Sequence, residues 1–194
     1  MTSPICNPPF GRRALLAGVC TAAAESLLSS PAHATLFRGV PLKELTQLSQ
    51  RVVIGSALEA ASHWEVIGGR RRIVTDTRVL VEEVVAKNAP AQGELLVRTL
   101  GGTVGGMAAL VFGEASLELG QRSMLFLMSD GSFERITAMA QGHYPLRLEA
   151  KDAWRVFASP HTPELVGKLE PAVHLLAGKE LGRARMLIQQ VVAQ

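Results

Sequence analysis

Hydrophobic and polar positions alternate over residues 72–85, RIVTDTRVLVEEVV, for longer than anywhere else in the chain. Ile73, Thr75, Thr77, Val79 and Val81 share one face of a period-two pattern, and Val74, Asp76, Arg78, Leu80 and Glu82 share the other. β-Branched residues predominate, as extended backbone favours, because their stiff side chains pack well on a pleated surface. At Glu82-Glu83 the alternation stumbles, and Val84-Val85 resume it out of phase. At about 3.3 Å per residue the run is roughly 45 Å long. A strand of that length must coil, bend at a bulge or serve two parts of a closed sheet. The pattern predicts the bent central strand of a small β-barrel.

The flanking pattern supplies the other elements. Leu42, Leu45 and Leu48 recur at three-residue spacing behind Pro41 and predict a short helix over 41–50 that caps the barrel. Residues 51–57, RVVIGSA, read as a strand bent at Gly55, and residues 62–67, SHWEVI, as a second element. Gly68-Gly69-Arg70 is a hairpin turn leading into the long strand. After the break at Pro90 and Gly93, residues 94–100 form another strand, followed by the glycine-dense GGTVGG of residues 101–106. Residues 123–128, SMLFLM, are an apolar strand ending at the turn Asp130-Gly131, with short strands expected at 136–140 and 146–148. Beyond about residue 150, Pro160, Pro163 and Pro171 punctuate a linker, and Thr162-Pro163-Glu164 has the form of a short helix start. Leu181, Ala184, Leu187 or Ile188, and Val191 mark the apolar face of an amphipathic C-terminal helix, folded back over the barrel or meeting a partner. The expected fold is mainly β: a small antiparallel OB-like barrel over residues 35–150, with a short N-terminal helix, then a linker and C-terminal helical tail over 151–194.

The first 34 residues read as an address. Arg12-Arg13 stand ahead of a modestly apolar stretch over 14–24, and Ala32-His33-Ala34 fits the small-x-small rule for cleavage before Thr35. Glu25 interrupts the stretch, which is too short to span a bilayer. The segment resembles a twin-arginine translocation signal. It lacks a Ser or Thr ahead of the arginines and carries Leu15-Leu16 where Phe-Leu is usual, so the general secretory route stays open. Either route implies a periplasmic or secreted protein and an export translocase as a targeting partner. Both cysteines, Cys6 and Cys20, lie in this segment. Cleavage after Ala34 leaves a domain that relies on its core rather than on disulfides and excludes cysteine chemistry.

Composition adds little more. Hydrophobic residues make up 47% and charged residues 19%, enough apolar side chain to fill a core. The net charge of +3 is scattered, and aromatics are 5%, so neither a concentrated basic face nor a stacking platform for bases is written into the chain.

Candidate chemistry is sparse. GGTVGG, with Gly101, Gly102, Gly105 and Gly106, continues into Met107 and Ala108 instead of the Lys-Ser/Thr of a phosphate loop, so it reads as a glycine loop between strands. Arg70, Arg71 and Arg72 fall at a hairpin tip, where charge is simply solvated, and no nucleic-acid partner is expected. His63, His143, His161 and His174 show no metal-ligand spacing, so no metal or other cofactor is expected. Ser129-Asp130 with His143 is the one conceivable hydrolytic set, but Asp130-Gly131 is already explained as a turn, and no catalytic residue is assigned. Glu82-Glu83 are adjacent, so on a strand they point apart unless a bulge re-aims one. Trp64 is either a binding-surface aromatic or a half-buried strand residue.

The order Val52-Val53-Ile54-Gly55, then residues 73–85, Leu95 to Arg98, and Ser123 to Leu127 resembles the netrin-like modules of secreted proteins, including the tissue inhibitors of metalloproteinases. That resemblance implies the fold alone. The inhibitors act through an N-terminal cysteine, which a chain beginning at Thr35 lacks. The expected function is an exported, non-enzymatic β-barrel module binding a protein or cell-envelope component. The alternative is a small-ligand-binding or hydrolytic protein with its site at the barrel mouth near Gly101 to Gly106.

Overall fold

The computed structural model describes residues 36–86, 93–149 and 153–194, so the segment expected to be an export signal, with Arg12, Arg13, Ala32 and Ala34, lies outside the described residues. In chain order the elements are β1 (Phe37–Arg38), α1 (Leu42–Leu48), β2 (Arg51–Ile67), β3 (Arg70–Ala86), β4 (Gly93–Leu100), β5 (Gly102–Val104), β6 (Met107–Ala109), β7 (Arg122–Asp130), β8 (Phe133–Ile136), a 3-10 turn (Met139–Gly142), β9 (His143–Leu148), β10 (Trp154–Val156), β11 (Leu165–Val166), α2 (Ala172–Leu176) and α3 (Leu181–Val192).

Five strands close a barrel in the order β2–β3–β4–β8–β7 and back to β2, and β9 and β10 extend the sheet from β7. The barrel is mixed, not purely antiparallel as the pattern suggests. β8 runs parallel to β4 through Val97↔Glu134 and Arg98↔Arg135. The reason lies in the chain path. β7 and β8 form a tight hairpin at Asp130↔Phe133, so β8 reverses β7 and arrives at the seam in the direction of β4.

The long strand behaves as its pattern requires. Thr77, Val79 and Val81 are buried toward the barrel interior, where Val79, Val81 and Val97 pack with Leu125, Leu127 and Ile136. Register against β2 slips twice: Ile54 faces Glu83 while Gly55 faces Val81, and Val52 faces Ala86 while Val53 faces Val84. Glu82 and Val85 are therefore bulged residues. The slips carry Val85 and Ala86 out of the barrel and into a second core on its outer face. Glu82 then pairs with Arg122, and Glu83 with Arg185 on α3, so the adjacent carboxylates part.

That second core forms where β2 and β7 turn their other faces outward. Val52, Ile54, Met124 and Phe126 meet Leu42 and Leu45 of α1, Leu176 of α2, and Leu181, Ala184 and Ile188 of α3. The helices lie on the side of the barrel, and the C-terminal helix is folded back on it. Tyr144 is fully buried here, edge-on to Phe126 at 5.8 Å, and its hydroxyl has no hydrogen-bond partner among the described residues. A buried hydroxyl without a partner keeps its desolvation penalty. Tyr144→Phe is expected to raise stability by about 1 kcal/mol, read from the denaturation midpoint.

Three local expectations are corrected. Residues 51–57 and 62–67 are one strand, joined through a third register slip at Leu58. The strand expected at 136–140 ends at Ile136, because Ala138 and Met139 adopt left-handed backbone, φ 56° and 58°, and start the 3-10 turn. The helix start at Thr162-Pro163 is instead the approach to β11, which pairs with β1, and α2 begins behind Pro171.

Candidate functional site

The barrel is lined by valines at depth and by hydroxyls near one end. Thr75 and Thr77 of β3 and Thr99 of β4 line an inner cavity of about 350 Å³ at that mouth. Gly101 and Gly102 form part of its wall, and the stretch from Ala108 to Val111 another. Thr75 donates a hydrogen bond to the Gly101 carbonyl at 2.8 Å, and its hydroxyl lies 2.8 Å from that of Ser62. Gly102 crosses so close to this pair that a Cβ would sit 2.3 Å from the Thr75 hydroxyl. The glycine pattern therefore has two separate uses. Gly101 and Gly102 allow close approach, while Gly105 and Gly106, φ 57° and 81°, make the turn of the β5–β6 hairpin.

A second cleft of about 570 Å³ adjoins the first and shares Thr99, Leu100 and Glu114 with it. It lies between two hairpin tips. Glu65, Val66, Gly68 and Arg72 come from the β2–β3 hairpin, and Asp130, Phe133 and Arg135 from the β7–β8 hairpin. Its floor is Arg98. This guanidinium donates two hydrogen bonds to Asp76, at 2.6 and 2.7 Å, and one to Glu65 at 2.5 Å. Its Cζ stands 4.0 Å from the centre of the Phe133 ring. The Asp76 hydrogen bonds hold Arg98 charged, raising its pKa against the opposing effect of burial. His63 completes the group, 3.4 Å from Glu65. Among the described residues no cluster of His, Cys, Asp and Glu suited to a metal ion occurs.

Glu114 stands where the two cavities meet. It is 9% exposed, and burial pushes its carboxyl above the ordinary range, opposed by hydrogen bonds from backbone N–H groups of Ala115 and Leu100.

The remaining sequence candidates separate. Arg72 lines the cleft, Arg71 stacks on half-buried Trp64 at 4.9 Å, and Arg70 is exposed at the turn formed by Gly68 and Gly69. Ser129 and Asp130 do not assemble with His143. They lie in the β7–β8 hairpin opposite Glu134 and Phe133. His143 pairs with Leu125, farther along the same edge of β7, and is held between the hydroxyls of Ser123, 3.1 Å from Nε2, and Ser159, 3.2 Å from Nδ1. Alternation alone does not reveal Arg98 and Glu114. The signal for Arg98 is its register: counted from the hairpin turns, it falls directly opposite Asp76, an ion pair across neighbouring strands.

Burial, and secondarily the charge of His161, lower the His143 pKa to about 4. In the unfolded chain a histidine takes up its proton below about 6.5. Stability is therefore complete above that pH and falls as pH drops toward 4, by roughly 3 kcal/mol for this one group. Melting temperatures across this range are expected to fall steeply for the native chain and less steeply for His143→Gln.

No protein-family model, curated protein or solved structure matches the chain.

Proposed function

We propose that the chain is an exported, non-enzymatic binding module of OB type that seats a protein or cell-envelope component at its barrel mouth. The carrying observation is the pair of adjoining cavities that meet at Thr99, Leu100 and Glu114. The OB reading is supported by the closing order β2–β3–β4–β8–β7, with the third and fifth barrel strands parallel. In such barrels ligands lie over the second and third strands, between the loops joining strands one to two and four to five. Here the tips at Gly68-Gly69 and Gly131 border the cleft in those two places. The likeness to netrin-like modules agrees with this architecture and carries no activity. Export is supported by Arg12-Arg13 and by Ala32 and Ala34 ahead of Thr35.

A binding role fits the chemistry of the mouth better than a catalytic one. Arg98, Asp76 and Glu65 hold one another in fixed hydrogen bonds, which suits a recognition surface. The same pairing leaves little unbalanced positive charge in the cleft, which disfavours nucleic acid. The size of the inner cavity favours a small ligand group as part of what is bound.

The test retains partners from solubilised envelope proteins on the immobilised chain. The native chain is expected to hold a stoichiometric partner. The double variant Val66→Asp, Arg72→Glu, both exposed positions, is expected to lose it at unchanged melting temperature. Equal retention by the variant, or no specific retention by the native chain, overturns the reading.

A further inference from the structure

Three carboxylates border the barrel mouth, and two are paired with an arginine, Glu65 sharing its Arg98 with Asp76. Glu65 pairs with Arg98 at 2.5 Å, and Asp130 with Arg135 at 3.7 Å. Glu114 is the most buried of the three and forms no ion pair among the described residues. Its carboxyl takes the main-chain N–H of Ala115 at 3.3 Å. Arg135 acts on this carboxyl from beyond ion-pair distance without offsetting its burial, and a buried carboxylate without a paired cation is costly.

The rest of the cavity describes that partner. Thr77 and Thr99 offer hydroxyl oxygens on the barrel side, and Leu110, Val111 and Leu117 give the wall an apolar sleeve. Phosphates and carboxylates are disfavoured by the charge of Glu114. A guanidinium favours a planar two-point match, whereas one carboxylate among hydroxyls suits a compact ammonium, and an apolar sleeve suits a methylene stem.

We propose that the inner cavity binds a primary ammonium group on an alkyl stem, with Glu114 as its counter-ion and the hydroxyls of Thr77 and Thr99 as further acceptors. The assignment rests on the binding-module reading and narrows it to the chemistry recognised at the mouth. The ammonium has two sources, a lysyl side chain of a partner protein or a small free amine.

Seating an ammonium favours the ionised form of Glu114. Burial raises the pKa of this carboxyl, so affinity rises with pH as Glu114 ionises, until the amine itself deprotonates near pH 10. The charged and titratable groups that share its two cavities are Arg135 on β8 and His161 ahead of β11, with Arg72, Arg98, Glu65 and Asp130 across the cleft. Measurements in a His161→Gln background remove the histidine from the cavity wall.

The experiment is calorimetric titration of the whole chain at about pH 5.5 and about pH 8, in buffers of different ionisation enthalpy. The probes are N-acetyl-lysine methylamide, its side-chain-acetylated counterpart and n-butylamine. The lysyl probe is expected to bind more tightly at the higher pH, and the acetylated probe to fail. Glu114→Gln is expected to weaken lysyl binding about tenfold or more, as loss of a charge-assisted hydrogen bond implies. Thr99→Val, which keeps the side-chain shape, is expected to weaken it a few-fold. Tighter binding of the lysyl probe assigns the site to a protein partner, and tighter binding of n-butylamine to a small amine; both uphold the proposal. Equal binding of the acetylated probe, binding unchanged in Glu114→Gln, or weaker lysyl binding at the higher pH overturns it. If the amine assignment alone is wrong, the envelope partner is still retained and still lost in Val66→Asp, Arg72→Glu. If the module reading is wrong, that retention fails as well.

Discussion

Removal of residues 178–194 is expected to leave a chain without a cooperative unfolding transition. Leu181, Ala184 and Ile188 of α3 are 5%, 0% and 0% exposed and share one core with Leu42, Leu45, Val85 and Ala86. Fully burying a leucine or isoleucine contributes roughly 1.5–3 kcal/mol each, and the cavity left behind adds to the loss. A domain of this size is stable by only about 5–15 kcal/mol. Deletion also strips the outer faces of β2 and β7 and leaves Glu83 without Arg185. The milder Ile188→Ala is expected to cost about 3 kcal/mol, measured by urea denaturation. A truncated chain that melts at the native temperature would refute the second core. Loss of a binding partner on deleting this helix would therefore report unfolding, so the helix cannot be tested as a contact surface by truncation.

Gly55→Val is expected to cost about 3 kcal/mol or more. No left-handed backbone is involved. The cause is proximity: a Cβ at Gly55 would lie 2.4 Å from the Leu80 carbonyl oxygen and 2.9 Å from a Val79 methyl. Those atoms belong to the partner strand beside the Glu82 bulge, where Gly55 faces Val81 and the barrel bends. Relief would require β2 and β3 to separate, at the expense of the ladder that holds both cores. Gly68→Ala is the control. Gly68 has open space around it and pays only for φ 58°, so about 1 kcal/mol is expected. Equal midpoints for the two variants would contradict the close approach at Gly55.

Much of this architecture is readable from local chemistry. Thr75, Thr77, Val79 and Val81 turn inward as written, although Val74 on the opposite face is buried too, and the stumble at Glu82-Glu83 is a bulge. Gly68-Gly69 and Asp130-Gly131 turn where glycine makes positive φ inexpensive. Leu181, Ala184 and Ile188 bury the face their spacing describes. What local pattern misses depends on residues far apart in sequence. Parallel pairing of β8 with β4 follows from the whole intervening path. Ala138 and Met139 carry no sign that tertiary packing will force them left-handed. Of the mouth, Gly101, Gly102 and Arg72 stand out in sequence, with Asp130 and His161 noted there for other reasons. Arg98 reads as an ordinary exterior strand residue until Asp76 and Phe133 are set beside it, and Glu114 as an ordinary loop acid until the cavities meet there.

The seam between β4 and β8 has a consequence for how the chain folds. β2 and β3 are neighbours in sequence, zipped from a two-glycine turn, and can form early with little loop to close. The parallel seam joins residues nearly forty positions apart through two register pairs, Val97↔Glu134 and Arg98↔Arg135. Its contact order is high and its ladder short, so barrel closure is expected late in folding, with this seam the readiest part of the barrel ladder to reopen. Arg98, Thr99 and Leu100 continue directly from that seam into the mouth. The residues shared by the two cavities thus adjoin a seam expected to open readily, and a ligand seated there, as proposed, would fasten it.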